Sequence, residues 1–166
     1  CQKEVALRNI VVLELLFSTG MRVSEVSNLK TSAINLGDNT VRIFGKGSKE
    51  RIMCISDDLS KTISNYLVSR SQKSDYLLIN RLGNRLSEQS IRYMVNDYAN
   101  AVGAPLHITP HMFRHTFATE LHNEDVDIRY IQQFLGHSSI ATTQIYTHIS
   151  TSKTREILES KHPRNK

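Results

Sequence analysis

Tyr146 stands nine residues after His137 in the segment LGHSSIATTQIYTHIS. Upstream, HMFRH places His111 and Arg114 three residues apart, and further upstream lie Arg22 in TGMRVSE and Lys46 in FGKGSKER. Together they make one potential nucleophile, three permanent cations and two imidazoles. That set suits attack on a phosphodiester. A tyrosine hydroxyl is a poor nucleophile at neutral pH because its pKa is roughly 10, so nearby cations or a general base must activate it. Phosphoryl transfer gathers negative charge on the transferring oxygens, and fixed positive groups stabilise that charge.

Taken singly, each residue also has an ordinary structural role open to it. His111 could pack against core while Arg114 pairs with an acid. His137, after Gly136 at a break between two helices, could cap a helix C-terminus. Tyr146, about two turns into the next helix, could be a core or interface residue. Lys46 could be an exposed turn lysine, as Lys49 is expected to be, or a Gly-flanked lysine at a hairpin tip that swings into a groove and delivers a proton. Arg22 could form a helix-start ion pair with Glu25. GKGSKER lacks the spacing of a phosphate-binding P-loop, so nucleotide hydrolysis fits poorly. His115, next to Arg114, points elsewhere on a helix and is assigned a structural role.

The elements that must position these residues are legible from period and punctuation. Val5, Ile10, Leu13, Leu16 and Phe17 fall at helical spacing over residues 3–18, with Ser18-Thr19-Gly20 as the stop. A second short helix begins near Arg22, with Arg22 and Glu25 on one face. AINL, TVRIF and ERIMCIS, separated by turns at Gly37-Asp38-Asn39 and Gly45-Lys46-Gly47-Ser48, predict a small three-stranded antiparallel sheet. Ser56 caps a helix reaching about Arg70, and DYLLIN is a short strand or extended run. Ser87 caps another helix through Asn100, with Glu88 and Asp97 outside and Ile91, Met94, Val95 and Tyr98 inside. Thr109-Pro110 is a helix start with a capping side chain and proline at the first helical position. His111 and Arg114 then share a face near unpaired N–H groups and a partial positive charge. Asp127 and Ser139 are further N-caps, and Pro163 ends the last helical stretch. The fold class is α+β, mostly helical with one small sheet.

Composition bounds the rest. The 166 residues fit one domain with a real core. Lys plus Arg number 21 against 16 Asp plus Glu, a net charge of +5 that is compatible with a polyanionic partner. Two cysteines, Cys1 and Cys54, offer neither a disulfide framework nor a metal-binding spacing. IVVLELLF is too short, and carries Glu14, to span a membrane. Without a visible secretory signal, a cytoplasmic setting is expected. Cys1 opens the chain where a starting Met would stand, which reads as a piece of a longer protein.

Jointly, the motifs resemble the catalytic domain of the tyrosine recombinases, the phage-integrase and Xer-like enzymes. The resemblance rests on LLFSTGMRVSEVSNL, IFGKGSKERIMCIS, ITPHMFRHTFATEL and IQQFLGHSSIATTQIYTHIS, spread over nearly the whole chain. In that family an Arg, a Lys, a His-x-x-Arg, a later His or Trp and a Tyr form the active site. Arg22, Lys46, His111, Arg114, His137 and Tyr146 occupy those positions in that order.

The resemblance implies a site-specific recombinase or integrase of a bacterium, phage or mobile element, acting on double-stranded DNA at the nucleoid. Tyr146 would attack a phosphodiester and form a 3′-phosphotyrosyl bond with release of a 5′-hydroxyl. Arg22 and Arg114 would clamp the non-bridging oxygens and Lys46 would protonate the leaving oxygen. His111 would assist proton removal from Tyr146, and His137 would add a hydrogen bond. Glu25 would orient Arg22 or merely pair with it at the surface. The expectation is no cofactor, no metal and no membrane. Residues 1–166 would be the catalytic domain, without the N-terminal helical domain that completes the family's clamp around DNA. The free fragment would be monomeric. On DNA a homo-tetramer would assemble, with the C-terminal segment, where Ile157 and Leu158 make a small apolar patch, docked on a neighbouring subunit. Two other classes stay open at this point: a type IB topoisomerase, and a DNA-binding module with silent cleavage chemistry.

Overall fold

The computed structural model describes residues 2–45, 49–136 and 151–165. Lys46, His137, Ser139 and Tyr146 lie outside the described residues. α1 (Gln2–Thr19) runs through the centre and packs against its neighbours on most sides. Val11, Val12, Leu15 and Leu16 on it are fully buried, while Ile10, expected inside, is exposed. A helix covered on several faces has no single apolar stripe, so periodicity misplaces individual residues on it.

α2 (Val23–Asn28) follows at once, and then three strands pair antiparallel in the order β1 (Ile34–Asn35), β2 (Thr40–Phe44), β3 (Glu50–Cys54). The register sets Val41 opposite Met53 and Ile43 opposite Arg51. Val41, Ile43 and Met53 are buried, so Arg51 stands in line with the core-facing row, while Phe44 and Ile52 are exposed on the other face. The sheet is the one expected, with β1 only two residues long.

α3 (Asp57–Ser69) and α4 (Glu88–Ala101) begin as expected, with the Ser56 and Ser87 hydroxyls accepting the N–H of Leu59 and Ser90. On α4 the buried face is Ile91, Met94, Val95 and Ala99. Tyr98 is exposed rather than inside, its hydroxyl accepting from the Asn9 amide. A phenol at the edge of a helix face keeps its polar end wet, and the apolar side goes to the smaller alanine one position on. The DYLLIN run is no continuous strand but a bent segment with isolated bridges from Tyr76 to Lys30 and from Ile79 to Arg85. Leu77 N–H donates to the Leu29 carbonyl, and Ile79 N–H to the buried Tyr66 hydroxyl.

α5 (Pro110–Asn123) starts at Thr109-Pro110, but the Thr109 side chain makes no capping bond. α6 (Ile128–Phe134) starts at Asp127, whose carboxylate accepts from Arg129 N–H at 2.9 Å. α7 (Thr151–Lys161) packs on β3 of its own chain and buries Ile157 and Leu158. The tail is secured further by His162, whose ring meets Phe17 edge-on at 5.5 Å, and by an Arg164–Glu14 ion pair. Its two apolar residues find their cover in cis. No helix among the described residues is long and apolar enough to cross a membrane.

Candidate active site

Two glycines in left-handed backbone set the geometry around the buried cations. Gly20 ends α1 with φ +63°, and a Cβ there would lie 2.6 Å from the Phe117 ring. Its carbonyl is thereby turned towards α5 and accepts from Arg114 Nη1 at 2.7 Å. Arg114 Nη2 donates to the Leu135 carbonyl at 2.6 Å, just past α6. Arg114 is buried and, among the described residues, makes no ion pair; it crosslinks the ends of two helices through their carbonyls. Burial, with the neighbouring charges of Arg22 and Arg51, lowers its pKa to about 10. It therefore remains a cation at neutral pH, and an anion placed nearby relieves the burden of holding it there.

Arg22 is the residue before α2, with extended backbone, and Glu25 sits three residues on. The Glu25 carboxylate accepts the Arg22 backbone N–H at 2.8 Å, half of a capping box, and Arg22 Nη1 at 3.3 Å. Arg51 meets the same carboxylate with both terminal nitrogens at 2.9 Å. Its Nε donates to the Phe134 carbonyl at 2.6 Å. Glu25 is only 7% exposed, so this is no surface ion pair. The Arg22 side chain is 43% exposed and keeps donors for another partner.

Burial alone would push the Glu25 carboxyl up. The Arg51 hydrogen bonds and charge, joined by those of Arg22, outweigh it and hold the group below its ordinary value. A carboxyl whose folded pKa is depressed adds stability that is present above its unfolded pKa and lost as pH falls through the folded one. The melting-temperature gap between wild type and Glu25→Gln is therefore expected to be full at neutral pH and to narrow below about pH 4.3. Melts recorded between neutral and acid pH check this, and a pH-independent gap contradicts it.

Arg22, His111 and Arg114 line one open cleft of about 670 Å³, together with Arg92, His107 and Glu88. His111 is exposed on the first turn of α5, on the same face as Arg114, and does not pack into core. Of the six residues nominated from the sequence, these three are brought together, with Glu25 directly behind Arg22. Lys46, His137 and Tyr146 fall outside the described residues, but two of their neighbours do not. A Cβ on Gly45 would lie 3.8 Å from Glu25 Oε1, and one on Gly136, at φ +64°, would lie 2.9 Å from Arg51 Nη1. Sequence reasoning missed Arg51, Arg92 and His107. The available signal for Arg51 was a charge in phase with Met53 on a strand that also feeds the core.

Residues 1–153 match the model of the phage integrase family. A tyrosine recombinase of Agathobacter rectalis is 52% identical over 167 residues, covering 98% of this chain and 55% of that protein. Tyrosine recombinase XerC of Staphylococcus aureus is 41% identical over 165 residues, covering 97% and 55%. The chain thus spans about half the length of the curated relatives it matches. Among solved structures, XerA recombinase is 37% identical with TM-score 0.73, covering 95% of this chain and 59% of that one. XerH site-specific recombinase is 31% identical with TM-score 0.75, covering 92% and 46%. With its helices and small antiparallel sheet in the arrangement of these recombinases, the chain belongs to the phage integrase family.

Proposed function

We propose that this chain is the catalytic domain of a site-specific DNA recombinase that cleaves and rejoins strands through a phosphotyrosine. The observation that carries this is the open cleft lined by Arg22, Arg114 and His111, whose two cations and imidazole suit an anionic phosphate. Tyr146 attacks the phosphorus, and the 5′-oxygen leaves with a proton from Lys46. Arg22 and Arg114 hold the non-bridging oxygens, where each such donor is worth roughly 3–4 kcal/mol. His111 takes the Tyr146 proton and His137 adds a hydrogen bond to the phosphate. A 5′-hydroxyl from a partner strand then reverses the step, so the bond energy stays in the covalent intermediate. Glu25 keeps Arg22 aimed into the cleft. The XerH neighbour is bound to its difH substrate before cleavage, and a second XerH structure, 30% identical, holds a palindromic difH after it. This supports double-stranded DNA as the partner here.

The assembly is a homo-tetramer on DNA and a monomer off it. The tail of residues 151–165 then exchanges its seat on β3 for the equivalent seat on a neighbouring subunit, which couples the active sites. The setting is the bacterial cytoplasm, at the nucleoid or on a mobile element.

The full-length chain, given nicked duplexes drawn from the DNA flanking its gene, is expected to form a denaturant-resistant protein–DNA adduct in EDTA. Its DNA affinity should fall steeply with salt, because phosphate contacts release counterions. No adduct on any such duplex, or a strict need for Mg²⁺, overturns the proposal. Supercoil relaxation without strand exchange reassigns the chain as a topoisomerase.

A further inference from the structure

We infer that Arg51 is a positioning residue for strand cleavage, acting through Glu25 to hold Arg22 at the phosphate; this rests on the function proposed above. The Arg51 side chain is 9% exposed and that of Glu25 is 5% exposed, so neither is free to meet DNA directly. Yet its hydrogen bonds among the described residues run to the carboxylate that holds Arg22 and to the carbonyl next to the one that holds Arg114. Both of its terminal nitrogens grip the carboxylate that also bonds the backbone and guanidinium of Arg22. Its Nε holds the Phe134 carbonyl, and Arg114 holds the next carbonyl along, that of Leu135. Consecutive carbonyls at the end of α6 thus seat one buried arginine that lines the cleft and one that stands behind it.

The same guanidinium lies under Gly136, the residue before His137. Any side chain there would be strained and would close to 2.9 Å of it. Glu25, on its other side, lies beside Gly45, the residue before Lys46. The Glu25–Arg51 pair is therefore a buried joint where α2, the β2–β3 hairpin and the end of α6 meet. A planar guanidinium makes this joint because it presents its donors in a fixed fork that matches a carboxylate and a carbonyl together. Lysine offers a point charge and cannot hold both geometries.

The test separates positioning from mere folding by the charge on the substrate. Single-turnover cleavage by the full-length chain is measured on two nicked duplexes from the DNA flanking its gene. One has a normal scissile phosphate, and in the other a methylphosphonate replaces one non-bridging oxygen with a neutral methyl group. The neutral phosphorus needs less positive charge at its oxygens, so a defect that works through Arg22 shrinks there. Arg51→Gln is expected to slow cleavage of the normal site on the order of 10²-fold, as misplacement of a catalytic group does. On the methylphosphonate most of that loss should disappear, in parallel with Arg22→Ala, while DNA affinity stays near wild type.

An equal defect on both substrates, or no defect, overturns the inference. If Arg51→Gln melts below the assay temperature, Arg51→Lys carries the same comparison, since it keeps the charge and loses the fork. If the wild-type chain itself forms no adduct on either duplex, the proposed function fails instead.

Discussion

Tyr146→Phe in the full-length chain should abolish the covalent protein–DNA adduct and leave DNA binding intact. The substitution deletes one oxygen and keeps the ring, so the volume filled by the side chain and any packing it makes hardly change. Phenylalanine has no atom that can attack phosphorus. Removing a nucleophile costs on the order of 10⁶-fold in a covalent mechanism, because the remaining groups cannot supply another. A trapping duplex resolved on a denaturing gel reads this directly, and a salt titration of binding serves as the fold control. Equal adduct yield from the Phe variant assigns the nucleophile to another residue. Loss of both adduct and binding places Tyr146 in the core instead. Tyr66 shows what that role looks like in this chain, since it is fully buried and its hydroxyl accepts from the Ile79 N–H.

Local chemistry was the part of the fold most open to reading. Ser56, Ser87 and Asp127 were identifiable as N-caps because a capping side chain and the N–H it serves lie within a few residues of each other. The three strands were readable because turns separate alternating runs. Errors arose where burial depends on several neighbours at once. Ile10 lies on a helix enclosed on several sides, and Tyr98 sits at the margin of its apolar face. Arg51 escaped notice because both faces of β3 carry apolar residues, Ile52 outward and Met53 inward. Alternation therefore does not say which row is core, and a charge in the inner row passes for a surface residue. Its partner Glu25 is 26 residues away, a pairing no local pattern specifies.

Arg114 shows a second limit. Its type and spacing point to an anion clamp, and it does line the cleft. Its carbonyl partners at Gly20 and Leu135 depend on how α1 and α6 end in space. The proposed clamp would thus be a second duty beside this structural one, and a rate measurement on Arg114→Ala alone would mix the two. Loss of a buried guanidinium leaves two carbonyls without donors, at a cost of roughly 1–3 kcal/mol each in stability. Any account of its part in cleavage has to separate that from its action on the phosphate.

Sulfur at the bridging position achieves the separation and also isolates Lys46. If Lys46 is the general acid, it protonates a departing alkoxide, which leaves poorly without a proton. Lys46→Ala should slow cleavage of normal DNA by about 10²–10⁴-fold, the usual range for losing a general acid. Replacing the bridging 5′-oxygen with sulfur makes the leaving group a thiolate, which departs without protonation. The Lys46→Ala chain should regain most of its rate on that substrate. Arg114→Ala should lose roughly 10²–10³-fold on normal DNA and recover little with sulfur, since its contribution is to oxygens that do not leave. Lys49, three residues on from Lys46, supplies the internal control: a substitution there should need no rescue. The comparison is unaffected by stability, because a partly unfolded variant loses the same fraction of active molecules on both substrates. Equal recovery of Lys46→Ala and Arg114→Ala would make Lys46 an electrostatic contact and require another donor for the proton.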